Sequence, residues 1–243
     1  MKALVLAAGL GTRLRPLTES VPKALVTVNG KTILERVLIK LKSQGFDDVI
    51  LNVHHHADQI INFIENNHHF GMRIAFSEER DLLLDTGGGI QQAGWFFNDG
   101  KPFLVHNVDI LSDIDLGSVY RKHLEENPLA TLVIQERDTD RLLLFDERWE
   151  LTGWKNAKTG TVKNPGKKNI RHIKSFCGIH VIDPALLGKI NRTGVFSIID
   201  VYLDLLPGNC MKGFEVQPES YWTDIGNPEN LSSVDKYFRE NKW

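Results

Sequence analysis

The chain has 243 residues, 42% of them hydrophobic, and its 29 basic side chains nearly balance 31 acidic ones for a net charge of −2. That length and apolar content can bury a sizeable core, and the near-zero charge gives no global pull toward nucleic acid or membrane. Cys177 and Cys210 lie far apart without a CxxC spacing, which suits a reducing compartment. No apolar run approaches the roughly 20 residues of a membrane span, and MKALVLAAG is too short for a secretory signal. A cytoplasmic protein is expected.

In chain order, KALVLAA (2–8) reads as a buried strand. TILERVLIKLKSQGF (32–46) reads as an amphipathic helix with Gly45 as its stop. DDVILNV is a second strand, ADQIINFIENN a second helix and MRIAFSE a third strand. A helix near GIQQAGWFF and the strand PFLVHNV continue the rhythm. This alternation predicts an α/β fold with a mainly parallel sheet covered by helices on both faces. Ligands in such sheets bind at the carboxyl ends of strands, so the loop after the first strand and the segment after PFLVHNV are the places to search.

Beyond residue 128 the strands LATLVIQ, LLLFDE, ELTGWKN and SFCGIHVID follow with fewer helices between them. ELTGWKNAKTGTVKN (150–164) carries the turn residues of a projecting hairpin. A helix over FSIIDVYLDLL, a strand KGFEVQ and a helix from Pro228 close the chain. The reading is one domain over 1–243, whose second half, 129–243, is elaborated over the edge of the sheet begun by 1–128.

The segment LVLAAGLGTRLRPLT (4–18) places Gly9 and Gly11 where the first strand ends. Glycine permits a tight turn and close approach of backbone N–H groups to a ligand. A dinucleotide fingerprint would continue G-x-G-x-x-G, yet the third position is Leu14, and no P-loop lysine follows. Arg13, Arg15 and Lys23 put three cations within eleven residues, which suits a polyphosphate. A solvated basic loop is the alternative on charge alone.

LAAGLGTRLRPLT followed by PKAL (22–25) closely resembles the signature of the sugar-1-phosphate nucleotidylyltransferases. DTGGGIQQA (85–93), LVHNVDIL (104–111) and YWTDIGNPENL (221–231) are similar to that family's base-contacting turn, metal-binding strand end and closing motif. The resemblance covers nearly the whole chain. It implies a Rossmann-like mixed sheet of the nucleotide-diphospho-sugar transferase type. It also implies an enzyme that joins an NTP to a sugar 1-phosphate with magnesium and releases pyrophosphate. Neither a nucleic acid nor a membrane is an expected partner, and a monomer or a homo-oligomer is equally compatible.

The resemblance assigns Arg13 to the leaving pyrophosphate and Lys23 to the α-phosphate or the attacking phosphate. Ala8, Gly9, Gly11 and Thr12 would cradle phosphates, and Thr86, Gly87 and Gly88 would read the base through a glycine turn. Three successive glycines are poor helix material, so a turn is expected there. Asp109 and Asp224 are the expected magnesium ligands, carboxylates suiting a hard cation. The metal would also offset their mutual repulsion, about 3 kcal/mol at 5 Å and an effective dielectric near 20. Asn107, Trp154, Lys155 and Gly178 are the sugar-side candidates.

Two departures stand out. The family commonly has Gly-Asp at the metal aspartate, whereas this chain has Asn107-Val108-Asp109, and it has Gly153-Trp154-Lys155-Asn156 where many relatives carry Glu-Lys-Pro. Valine disfavours positive φ, so a different local backbone is expected beside Asp109. The combination looks most like the N-acetylmuramate-1-phosphate uridylyltransferase branch, using UTP in cell-wall precursor synthesis. GTP-dependent mannose- and heptose-1-phosphate guanylyltransferases are close behind, and a non-catalytic nucleotide-sugar sensor is the alternative of another class. His54, His55 and His56 are consecutive, so their side chains diverge and no zinc site is expected.

Overall fold

The computed structural model describes residues 1–163 and 169–240. The chain runs through β1 (Lys2–Leu6), β2 (Thr27–Val28), β3 (Lys31–Thr32), α1 (Ile33–Ser43), β4 (Asp48–Val53), α2 (Ala57–Asn66) and β5 (Arg73–Glu78). It continues through α3 (Asp85–Gln92), β6 (Phe103–Asn107), β7 (Ile110–Ser112), α4 (Leu116–Glu126), β8 (Ala130–Gln135), β9 (Arg141–Phe145) and β10 (Leu151–Asn156). The last elements are β11 (Val162–Lys163), β12 (His172–Ile182), α5 (Ile198–Leu205), β13 (Met211–Glu215), β14 (Trp222–Asp224) and α6 (Pro228–Glu240). No described helix is long and apolar enough to cross a membrane. The chain forms two compact units, one of residues 1–83, 106–114 and 221–243, the other of 84–105 and 115–220.

In the first unit β1, β4 and β5 are parallel neighbours, with Leu4 opposite Ile50 and Ile50 opposite Ala75. Their central residues, Ala3 to Val5 and Val49 to Leu51, are fully buried, the pattern of strands covered on both faces. α1 follows directly from β3. Thr32 caps it by accepting from the Glu35 N–H at 3.0 Å, and Ile33, Leu34, Val37, Leu38 and Leu41 form its buried face. Gly45 follows with φ +81°, the left-handed stop expected from sequence.

In the second unit β12 pairs antiparallel with β8 and β9, β10 with β9 and β11, while β13 joins β8 in parallel. The sheet is therefore mixed. The β10–β11 pair is the expected hairpin as far as Lys163, and its last expected residue, Asn164, lies outside the described residues. Gly178, with φ +73°, sits where the β12–β8 register shifts between Phe176 and His180, a glycine bulge inside a long strand.

The DTGGGIQQA segment is a helix, α3, and not the expected turn. The propensity cost of its glycines is offset by close packing that a side chain would prevent. A Cβ on Gly87 would lie 2.5 Å from the Phe196 ring, and one on Gly88 2.6 Å from the Gly194 carbonyl. The Gly87 N–H donates to the Phe196 carbonyl at 2.9 Å. Thr86 Oγ1 accepts from the Ile198 N–H at the start of α5, at 3.0 Å. Glycine here lets α3 settle on the chain that enters α5.

His123 of α4 is buried, with Nδ1 bonded to Thr131 Oγ1 at 2.9 Å and no partner for Nε2 among the described residues. Burial, opposed weakly by Asp183, pushes its pKa down from 6.5 to about 4. The unfolded chain therefore binds the extra proton first, and stability present above pH 6.5 is lost as pH falls toward 4, by up to about 3 kcal/mol. Thermal unfolding at pH 7 and pH 4.5 should show a marked drop for the wild type. His123→Leu should unfold at a lower temperature at pH 7, yet lose less between the two pH values.

Candidate active site

The chain leaves β1 into a loop anchored by the Ala7 N–H on the Asn52 carbonyl at 2.9 Å. Gly11 turns it with φ +63°, and its carbonyl accepts from Thr18 Oγ1 at 2.7 Å and from the Leu14 N–H at 2.9 Å. A Cβ on Gly11 would stand 2.9 Å from Thr18 Cγ2 and 3.1 Å from Lys23 Cβ. The loop is thus closed on the segment that carries Lys23. A Cβ on Gly9 would meet nothing within 4 Å, so the chain opens onto unfilled space at this position. Leu14 is buried and pins the turn, while Arg13 and Arg15 on either side of it are exposed. Among the described residues the Arg13 side chain makes no hydrogen bond or ion pair, so its donors are available to a ligand.

Lys23 is almost fully buried, and its Nζ donates to Asp109 Oδ2 at 2.5 Å. A buried ammonium is tolerated only with such a partner. Asp109 follows β6, where the Val108 N–H donates to the Leu6 carbonyl at 3.0 Å. Val108 has no positive φ and is buried, so the backbone at this aspartate does not need the family's glycine. Asp224 arrives from far along the chain through the antiparallel β7–β14 pair, which sets it opposite Ile110. The Ile225 N–H donates to the Asp109 carbonyl at 2.8 Å, placing the two acidic residues on adjacent strand ends.

Two residues that sequence reasoning left unassigned shape this end of the site. Asp224 Oδ1 accepts from the Gly226 N–H at 3.0 Å and from Asn230 Nδ2 at 3.3 Å, and the same Asn230 amide reaches the Asp224 carbonyl at 2.9 Å. A Cβ on Gly226 would lie 2.6 Å from Asp224 Oδ1 and 2.8 Å from Arg13 Nη2. Gly226 is therefore the gap through which guanidinium and carboxylate come close. The D-I-G spacing signalled the glycine; nothing in the sequence signalled Asn230.

Ala8, Gly9, Gly11, Thr12, Arg13, Lys23, Asn107, Asp109 and Asp224 all belong to the first unit. Thr86, Gly87, Gly88, Trp154, Lys155 and Gly178 belong to the second. The N–H groups of Gly87 and Gly88 are engaged by Phe196, so any base contact by this segment falls to other atoms. Trp154 lies on β10 opposite Lys163, whose Nζ sits 5.7 Å from the ring centroid. Asn107 offers its carbonyl to His106 Nδ1 at 2.8 Å. Of the three consecutive histidines, His54 bonds the Glu79 carbonyl and His56 the Glu19 carbonyl. No group of three potential metal-binding side chains forms among the described residues.

A glycine loop at a parallel strand's carboxyl end, with unengaged guanidinium donors beside two carboxylates, is the architecture of an α/β enzyme that handles phosphates. Residues 2–141 match the nucleotidyl transferase family, and the chain belongs to it. Over 235 residues it is 41% identical to the N-acetylmuramate alpha-1-phosphate uridylyltransferase of Neisseria meningitidis serogroup B, covering 93% of each chain. A UTP–glucose-1-phosphate uridylyltransferase of Synechocystis is 27% identical over 93% of this chain, which spans only 60% of that relative's length. A crystal structure of UDP-glucose pyrophosphorylase complexed with UDP-glucose superposes with a TM-score of 0.78 over 99% of both chains at 15% identity. That likeness is one of fold, the nucleotide-diphospho-sugar transferase type.

Asn230→Ala removes the amide that steadies Asp224 without touching the carboxylate. With Asp224 as the metal ligand expected from sequence, the loss of a hydrogen bond to a charged group, about 1 to 2 kcal/mol, should raise the divalent-metal concentration for half-maximal turnover roughly tenfold while changing kcat at saturating metal little. Gly226→Ala should lower kcat itself, because its methyl displaces Arg13 or Asp224. Divalent-metal titrations of steady-state turnover distinguish the two.

Proposed function

We propose that this chain transfers a uridylyl group from UTP to a sugar 1-phosphate, N-acetylmuramate 1-phosphate being the favoured acceptor. Family membership supports the reaction class, and the identity to the Neisseria uridylyltransferase supports the base and sugar. The observation that carries the reading is the convergence in one unit of the Gly9–Gly11 loop, Arg13, Lys23, Asp109 and Asp224. A sensor that only bound a nucleotide-sugar would have little use for the acidic pair.

An oxygen of the sugar phosphate attacks the α-phosphorus of the triphosphate, the bond from the α-phosphorus to the bridging oxygen breaks, and its electrons leave with pyrophosphate. Both reactants are anions, so the protein must offset their repulsion and align them; catalysis of this kind rests on position and charge. In this reading the loop from Ala8 to Thr12 presents backbone N–H groups to the phosphates. Arg13 donates to the departing pyrophosphate, where negative charge grows. Lys23, fixed at the strand end, stands at the junction of attacking and α-phosphates.

The donor set fits magnesium. Asp109 and Asp224 offer hard oxygens on neighbouring strand ends, and with no third protein ligand grouped with them among the described residues, coordination positions remain for water and phosphate oxygens. When bound, the ion would supply charge neutralisation at the phosphates. Thr86, Gly87 and Gly88 are proposed on the base side. Asn107, Trp154, Lys155 and Gly178 are proposed on the sugar side, with Trp154 offering an aromatic face to a bulky pyranose.

Pyrophosphate release, measured for each NTP against a panel of sugar 1-phosphates with magnesium, tests the assignment. UTP with N-acetylmuramate 1-phosphate should exceed GTP with mannose 1-phosphate in kcat/KM by at least tenfold, about 1.4 kcal/mol in transition-state binding. The opposite order would reassign base and sugar, and no release with any pair would leave a binding protein. Arg13→Ala should lower kcat by more than it raises the UTP KM, because its contact strengthens as the leaving group departs; an unchanged kcat would remove Arg13 from that role.

A further inference from the structure

Along α1 the first unit holds a cleft of about 320 Å³ that none of the proposed catalytic groups lines. Val37, Ile110, Leu111 and Phe238, all buried, form an apolar part of its wall, and polar and charged side chains complete the lining. The volume falls in the range of small-molecule sites.

Two polar groups in this cleft have unused capacity. His106 is 1% exposed. Its Nδ1 faces the Asn107 carbonyl at 2.8 Å; a carbonyl can only accept, so Nδ1 carries the hydrogen and Nε2 of the neutral ring is an acceptor. Nε2 makes no hydrogen bond among the described residues, on a side chain that lines the cleft. Arg36 is the second. Its Nε and Nη2 donate to the Val28 carbonyl at 3.2 and 2.7 Å, Nη2 also reaches the Asn29 carbonyl at 3.2 Å, and the guanidinium lies 4.0 Å from the Phe238 ring centroid. Its Nη1 makes no hydrogen bond among the described residues. Lys31 and Lys40 also line the cleft with Asp113; Lys31 is paired with Glu35 at 3.7 Å, and the Glu35 and Asp235 carboxylates also act on Arg36.

We infer that the cleft is a second ligand site, built for a small, flat, apolar carboxylic acid that carries a hydroxyl donor. The hydroxyl donates to His106 Nε2, the carboxylate accepts from Arg36 Nη1, and the ring between them lies against the apolar walls. The site stands apart from the proposed reaction, since its occupant touches none of the reacting groups.

The inference is tested on the full chain with two probes, 4-hydroxyphenylacetate and phenylacetate, which differ only in the hydroxyl. Titrations followed by calorimetry and by methyl chemical shifts should show saturable one-to-one binding of both. The methyl groups of Val37, Ile110 and Leu111 should move, and the hydroxylated probe should bind at least about fivefold tighter, about 1 kcal/mol. His106→Leu should erase that preference while leaving phenylacetate affinity unchanged. No saturable binding below about 20 mM, far weaker than the millimolar affinity that corresponds to about 4 kcal/mol, would overturn the inference. So would equal affinity of the two probes in the wild type, shifts confined to other methyls, or a hydroxyl preference that survives in His106→Leu.

Discussion

The antiparallel pairing of β7 with β14 is the contact on which the candidate site depends. It joins residues more than a hundred positions apart, setting Asp224 opposite Ile110, and the Ile225 N–H on the Asp109 carbonyl extends the ladder by one step. Backbone hydrogen bonds fix strand register, and a slip of one residue would turn every side chain to the other face. The two acidic residues are therefore set on neighbouring strand ends by main chain, and the Lys23 ammonium offsets the charge of Asp109.

Absent side chains shape the molecule in two distinct ways. At Gly11 and Gly226 the missing Cβ lets functional groups come close, the loop to the Lys23 segment and Arg13 to the surroundings of Asp224. At Gly87 and Gly88 it lets a helix come close to the chain entering α5. A glycine cluster in sequence reports that something approaches the backbone, and not what approaches. The expected turn at 85–93 failed on that point: the partner in the structure is the Phe196 ring and carbonyl, and hydrogen bonding to that carbonyl stabilises a helix that propensity alone disfavours.

Much of the fold was legible because it depends on local period. Apolar runs marked β1 and β4, the Thr32 to Gly45 frame marked α1, and turn residues marked the β10–β11 hairpin. The site was legible in part, since Gly11, Arg13, Lys23, Asp109 and Asp224 sit in motifs whose spacing is short. Thr18 and Asn230 were not legible. Each acts through one side-chain hydrogen bond, to the Gly11 carbonyl and to Asp224, and a lone Thr or Asn carries no spacing from which such a contact can be read. The cleft along α1 was hidden for a related reason: residues 31–44, 106–113 and Phe238 contribute its lining from three separate stretches of chain.

Val108 shows how the site tolerates departure from its family. Glycine before the metal aspartate suggests a backbone that uses left-handed φ, which valine would resist. Here the strand end needs no such freedom, because the Val108 N–H stays on the Leu6 carbonyl and its side chain is buried. The position of Asp109 is thus set on both sides by main-chain bonds, to β1 through Val108 and to the β14 end through its own carbonyl. What the substitution does change is bulk. Where a glycine has no side chain, Val108 adds apolar surface that is buried in the first unit, while the Asp109 side chain beside it in sequence keeps about a quarter of its surface exposed.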